Sequence, residues 1–366
     1  MREGMKIIRT GLVNAISNFS DVATQYKNLA TLGYTHYQAA QPVTIGKRFM
    51  LYVQDFIDLV EELDNVKFRA RGAKGTVGTQ ASFMKLFGND NNKVRRLDEL
   101  VAQKLGFETT YHLTSQTYPR SFDAKIVSLL NRICISLAKF GNDMRLMSHD
   151  NIVDEPFEEK QTGSSAMVFK RNPMRSERLC SIARHLIGLS VEADITATTQ
   201  WLERTLDDSA IRRIYVPESF LSTDAVLILA NNITTQNMKE GTRPLTFYKG
   251  MIKRTLDEQL PFLAIEDIIM ELVSRGGNRQ ELHEIFREHS VNARIDMLEN
   301  GKTNDLLERI ADDERVPMNL SELQPFLHPD IGRAREQVDE YMAEVVTPFL
   351  IKNAESIGKS NSEINV

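Results

Sequence analysis

Cysteine is nearly absent. Only Cys134 and Cys180 occur in 366 residues. Both sit in apolar helical patterns, which argues against a disulfide framework and for a reducing compartment. No C-x-x-C pair and no His/Cys cluster offers a metal site. No apolar run reaches the roughly 20 residues that a membrane span needs. The opening stretch, MREGMKIIRTGLVNAIS, carries charge but lacks an unbroken apolar core and a small-residue cleavage site, so it does not read as a signal peptide. Alternating β-branched residues are scarce, which argues against a substantial sheet. No internal repeat or low-complexity tract is present.

What remains is ordinary for a soluble globular chain: 42% hydrophobic residues, 26% charged residues and a net charge of -5. That charge gives no reason to expect a nucleic acid or an anionic membrane surface as partner. The bulk properties describe a cytoplasmic α protein long enough for one large or two ordinary domains.

Helical periodicity begins almost at once. Met5, Ile8, Leu12, Ile16, Phe19, Ala23 and Tyr26 recur every three or four residues and share one face. With no capping residue ahead of them, the chain reads as opening inside a helix. A break follows over residues 30–42, and Pro42 suits the first turn of a second helix running to about Phe68. Two loops come next, the glycine- and threonine-rich RGAKGTVGTQASF (71–83) and TYHLTSQTYPRS (110–121). Phe122, Ile126, Leu129, Leu130, Ile133, Leu137, Phe140 and Met144 mark one very long helix. Further helices are expected over about 174–199 and 206–237, the latter bent at Pro217. Beyond KEGTRPL (239–245) the helices shorten. The expected division is a long-helix bundle domain, 1–239, and a smaller helical domain, 240–366. Long amphipathic helices carry more apolar face than one chain buries, so an oligomer is expected.

Three stretches carry chemistry. The first is QTGSSAMVFKRNPMRSER (161–178). Gly163-Ser164-Ser165 is neither a phosphate-binding P-loop nor a nucleophile elbow. Lys170 and Asn172 alternate along an extended segment ahead of Pro173 and can aim an ammonium and an amide at one anion. A serine hydroxyl near fixed positive charge is favoured in its ionised form and can act as a base. The stretch also fits a solvated basic loop. The second is Thr35-His36-Tyr37-Gln38, a loop histidine suited to proton transfer near neutral pH, or a surface residue. The third is WLERTLDDSAIRR (201–213). Arg204 with Asp208, and Ser209 with Arg213, are i,i+4 partners. An ion-paired helix surface accounts for Asp207 and Asp208, while Arg204, Ser209 and Arg213 can also meet a phosphate.

Together these stretches resemble the fumarase/aspartase superfamily and, within it, the adenylosuccinate lyase family. GSSAMVFKRNP is similar to the superfamily signature G-S-S-x-M-P-x-K-x-N-P, and TLGYTHYQAAQP to its T-H-x-Q segment. MRSERLCSIARHL, KGTVGTQASF, SQTYPR, ERTLDDSAIRR, QLPFLAIEDIIM and GGNRQELHE resemble the adenylosuccinate lyases in order along nearly the whole chain. The resemblance implies an all-α bundle of the fumarase/aspartase type with a smaller helical C-terminal domain. It implies a fumarate-releasing β-elimination without metal or cofactor, on a nucleotide substrate. It also implies a homotetramer whose active sites are shared between subunits. By resemblance Ser164 is the base and His36 the acid. Lys170 and Asn172 match positions that hold the succinyl carboxylates. Thr35, Gln116, Arg178, Arg204, Ser209 and Arg213 match further substrate-binding positions. Val168 stands where the signature has proline, which loosens the approach to Lys170. By the resemblance, the family's N-terminal domain, with its own motif and a further histidine, is expected to be missing from this sequence. The alternatives are another lyase of the superfamily, such as an argininosuccinate lyase, and an inactive subunit that assembles with intact chains.

Overall fold

The computed structural model describes every residue except 159–160, 162–165, 168, 239 and 361–366. Ser164, Val168 and the expected boundary residue Lys239 lie outside the described residues. The chain is all-α apart from short strands. By packing it divides into two compact units. One comprises Met1–Phe19, Leu51–Thr246 and Val346–Val366; the other comprises Ser20–Met50 and Phe247–Val345. The second unit thus includes an N-terminal segment that lies in the expected 1–239 domain, and the last residues group with the first unit.

The first unit is built on long helices. α1 (Arg2–Gln25) and α2 (Ile45–Asp64) each contribute part of their length. α5 (Ser121–His149), α6 (Met174–Thr198) and α7 (Asp208–Thr234) pack on one another. The periodic residues of α5 do what their spacing requires: Ile126, Leu129, Leu130, Ile133, Leu137, Phe140 and Met144 are all buried. Phe19 is the hub of an aromatic cluster. Its ring meets Phe140 edge-on at 4.7 Å, Phe56 at 5.1 Å and Tyr52 at 5.9 Å. Such contacts add to the roughly 1.5–3 kcal/mol gained by burying each large side chain. α7 runs through Pro217 as one helix.

Between α2 and α5 lie two shorter helices, α3 (Ala81–Leu86) and α4 (Asn91–Lys104). The glycine- and threonine-rich loop before α3 is anchored by Asp98 of α4. This buried carboxylate accepts from the Ala73 N–H at 2.7 Å, from Gln80 Nε2 at 3.2 Å and from the Lys74 ammonium. The loop also lies against residues 114–115. Gly78 has φ +87°, and a Cβ there would sit 1.9 Å from the Thr114 carbonyl oxygen. Only glycine meets both demands.

In the second unit the structure corrects one expectation. Residues 30–44 do not lead from a break into a helix begun by Pro42. They form a β-hairpin, β1 (Ala30–Thr35) and β2 (Gln38–Thr44), and α2 starts only at Ile45. Proline is tolerated in β2 because the pairing is irregular beside it: the register shifts between Leu32, the partner of Pro42, and Gly33. The hairpin packs on α8 (Lys249–Leu263). Further along the chain, α9 (Ile265–Ser274), α10 (Arg279–Asn300) and α11 (Leu306–Ala311) enclose a core of Ile268, Leu272, Phe286, Leu306, Leu307 and Ile310. Among the described residues no helix is long and apolar enough to cross a membrane.

Gly78→Ala is expected to lower folding stability by at least about 2 kcal/mol, because it combines left-handed strain with a backbone clash. Thermal or urea unfolding measures it.

Candidate active site

His36 is placed by backbone geometry. The hairpin pairs Thr35 with Gln38, so His36 and Tyr37 form a two-residue turn. Their φ angles are 52° and 57°, the positive pair of a type I′ turn. Such turns normally take Asn-Gly or a similar pair. Here two bulky residues adopt it, at a cost on the order of 1–3 kcal/mol each. The Tyr37 ring stacks on Tyr34 at 5.7 Å and an interplanar angle of 29°. Thr35 and His36 are exposed. The imidazole therefore stands at the tip of a β-hairpin instead of in an irregular loop.

In the first unit the 110–121 loop and the start of α7 are joined by buried charge. Asp208 is fully buried, and its Oδ2 accepts from Arg120 Nε at 2.6 Å. This corrects its reading as a helix-surface residue: it neutralises the guanidinium of Arg120, itself a buried residue. Asp123, also fully buried, accepts from the Tyr118 hydroxyl at 2.8 Å and from Arg212 Nε at 2.6 Å. Arg120 lies over the Tyr118 ring at 4.6 Å. Burial, reinforced by the Asp123 charge, pushes the Tyr118 phenol far up and keeps it neutral. The Gln116 N–H donates to the Glu203 carbonyl at 3.2 Å. Arg204 lies in the turn before α7, not on the helix, yet still faces Asp208 at 3.6 Å. Arg213 donates to the Ser209 carbonyl at 2.6 Å and to its hydroxyl at 3.0 Å.

The third group gathers where α6 begins. Glu155 is 8% exposed, and its carboxylate accepts the N–H groups of Arg175 at 2.9 Å and Ser176 at 2.7 Å. It caps a helix whose preceding residue, Pro173, has no side-chain acceptor. Burial pushes the Glu155 carboxyl upward, opposed by those hydrogen bonds. Arg171 pairs with Asp154 at 3.1 Å and lies over Phe157 at 4.6 Å. Lys170, Asn172 and Arg178 are exposed. The Lys170 N–H donates to the Met167 carbonyl at 3.0 Å, so the segment turns there instead of staying extended.

Residues 1–188 match the family model described as Lyase, and residues 261–341 match that of the adenylosuccinate lyase C-terminus. An adenylosuccinate lyase of Schistosoma mansoni is 43% identical over 96% of this chain and 72% of its own length. The chain belongs to the adenylosuccinate lyase family. The adenylosuccinate lyase of Saccharomyces cerevisiae is 41% identical over 100% of the chain and 75% of its own length. Among solved structures, a 3-carboxy-cis,cis-muconate lactonizing enzyme from Pseudomonas putida superposes with TM-score 0.76 at 22% identity. It covers 95% of this chain and 73% of that one. A fumarate lyase from Mesorhizobium sp. BNC1 superposes with TM-score 0.73 at 20% identity, over 94% of this chain and 74% of that one. At these identities the two structures speak for the fold alone, the helical bundle of the fumarate lyases.

For this member of the family, Gln116 bonds to Glu203, beside Arg204, while Arg204 faces Asp208 and Arg213 bonds to Ser209, all within the first unit. Lys170, Asn172 and Arg178 lie on the approach to α6 and its first turn. Thr35 and His36 belong to the second unit, and Ser164 lies outside the described residues. The sequence motifs did not single out Asp123, Glu155 or Asp98, nor the burial of Asp208. A carboxylate that will be buried looks like any other until its partner is known. The one available signal was density of charge: SQTYPRSFD and ERTLDDSAIRR hold more paired charge than a helix surface needs.

Glu155→Ala leaves two N–H groups at the start of α6 without their acceptor. It should lower stability by about 1–3 kcal/mol, read as a shift in the unfolding midpoint, with Glu155→Gln losing less.

Proposed function

We propose that the chain is an adenylosuccinate lyase of purine nucleotide biosynthesis. It would release fumarate from adenylosuccinate, giving AMP, and from succinylaminoimidazole carboxamide ribotide, giving aminoimidazole carboxamide ribotide. The observation that carries this reading is the 43% identity to an adenylosuccinate lyase over 96% of the chain. It is joined by signature residues that run in order from Thr35 to Arg213.

The reaction breaks one C–N and one C–H bond and forms one C=C bond. Ser164, ionised by nearby positive charge, takes a proton from the succinyl carbon beside a carboxylate. The electron pair spreads into that carboxylate, where Lys170 and Asn172 meet the developing charge. Preorganised donors of this kind stabilise a transition state without having to reorganise. The pair then forms the double bond of fumarate as the C–N bond breaks, and His36 protonates the departing nitrogen. Arg178, Arg204, Ser209, Arg213, Gln116 and Thr35 hold the remainder of the nucleotide; guanidinium forks and hydroxyls suit its phosphate. The working form is a cytoplasmic homotetramer with shared sites, so the residues of one site need not come from one chain. The exposed apolar side chains Ile187, Val191 and Ile195 on α6 support association.

Fumarate release from both proposed substrates, and none from argininosuccinate, is the expected result of a direct assay. Release from argininosuccinate alone would overturn the reading. Ser164→Ala and His36→Ala should each lower kcat by roughly 10²–10⁴-fold. Mixing the two inactive variants should restore part of the activity if sites are shared. Near-normal turnover in either single variant removes that residue from its role.

A further inference from the structure

Asp208 has two oxygens in unlike situations. Oδ2 accepts a 2.6 Å hydrogen bond from Arg120, which matches its charge one for one. Oδ1 is buried and accepts no hydrogen bond, and Arg204 Nη2 stands 3.6 Å away. That separation is an ion pair but too long for a hydrogen bond. The Arg204 guanidinium donates no hydrogen bond to any other described residue. Arg120 and Asp208 cancel, so Arg204 is left as one net positive charge with free N–H donors. The turn that carries it is held from both sides. Its N–H donates to the Trp201 carbonyl at 3.0 Å, and the Glu203 carbonyl accepts from Gln116. Leu202 within this turn has φ 43° and is 96% exposed, so its own packing does not hold that conformation.

We propose that Asp208 is a positioning residue for substrate binding. It holds the Arg204 guanidinium in place by charge, through an oxygen left without a hydrogen bond, and so keeps the N–H donors of Arg204 free for an anionic group of the substrate. A neutral isostere would let the guanidinium swing into solvent, and binding would have to bear the cost of ordering it. A hydrogen-bonded fork would hold the guanidinium more firmly but occupy the donors the substrate requires. The proposal rests on the reading of Arg204 as a substrate-binding residue.

The test is a double-mutant cycle with adenylosuccinate, reading KM and kcat separately and recording the unfolding midpoint of each variant. Arg204→Gln should raise KM. Asp208→Asn should raise it roughly tenfold with kcat little changed. In the Arg204→Gln background Asp208→Asn should add almost nothing to KM. If Arg204→Gln leaves KM unchanged, the binding role of Arg204 fails and the proposal falls with it. If Arg204→Gln raises KM but Asp208→Asn does not, or does so equally in both backgrounds, the positioning role alone is overturned. Asp208→Asn strands the buried Arg120 charge, which can prevent folding. The cycle is then run with Arg120→Met and Asp208→Asn made together, with Arg204 intact and with Arg204→Gln; the same KM pattern is expected.

Discussion

Two carboxylates with no access to water, Asp123 and Asp208, govern what the first turns of α7 can be. A charge removed from water must be met by opposite charge and by hydrogen bonds, or it destabilises the fold by several kcal/mol. Each is met by a guanidinium, Arg212 and Arg120, and both meet the same tyrosine, Tyr118. The loop before α5 and the start of α7 therefore cannot shift independently. Gln116 and Ser209, each next to this network, inherit its rigidity. The chain spends buried charge here, where an apolar core would be more stable, because apolar packing does not orient a guanidinium.

The same logic recurs elsewhere. Glu155 fixes the start of α6, and Asp98 fixes the loop before α3. In each case an acidic side chain from one segment accepts from the backbone of another, two N–H groups for Glu155 and one for Asp98. These contacts set where segments begin, while the aromatic cluster around Phe19 and the apolar faces of α5, α6 and α7 supply the bulk of the stabilisation.

Much of this was legible in the sequence. The faces of α1 and α5 follow from spacing alone, since a 3.6-residue period leaves no other element for Ile126, Leu130, Ile133 and Leu137 to form. The motif residues were also legible, as chemistry of unusual local composition. The hairpin at 30–44 was not. Its turn has no glycine or asparagine, and a proline stands where a strand residue was needed, so the usual turn chemistry pointed elsewhere. Asp208 was missed for a different reason. Next to two arginines an aspartate reads as a surface ion pair, and only the fold reveals that Arg120, far away in sequence, reaches it first.

The segment from Ala70 to Tyr111 leaves and rejoins the chain at one point. The Ala70 N–H donates to the Thr109 carbonyl at 2.9 Å, and the Tyr111 N–H donates to the Ala70 carbonyl at 2.9 Å. α3 and α4 thus hang from a closed neck. An insertion between the two helices adds only loop-closure entropy that grows slowly with length. The paired neck fixes where the chain re-enters ahead of α5, so a longer turn between the two helices reaches the bundle only through the lobe's other contacts, those of the loop before α3 with residues 114–115 and of Leu105–Phe107 with Arg2.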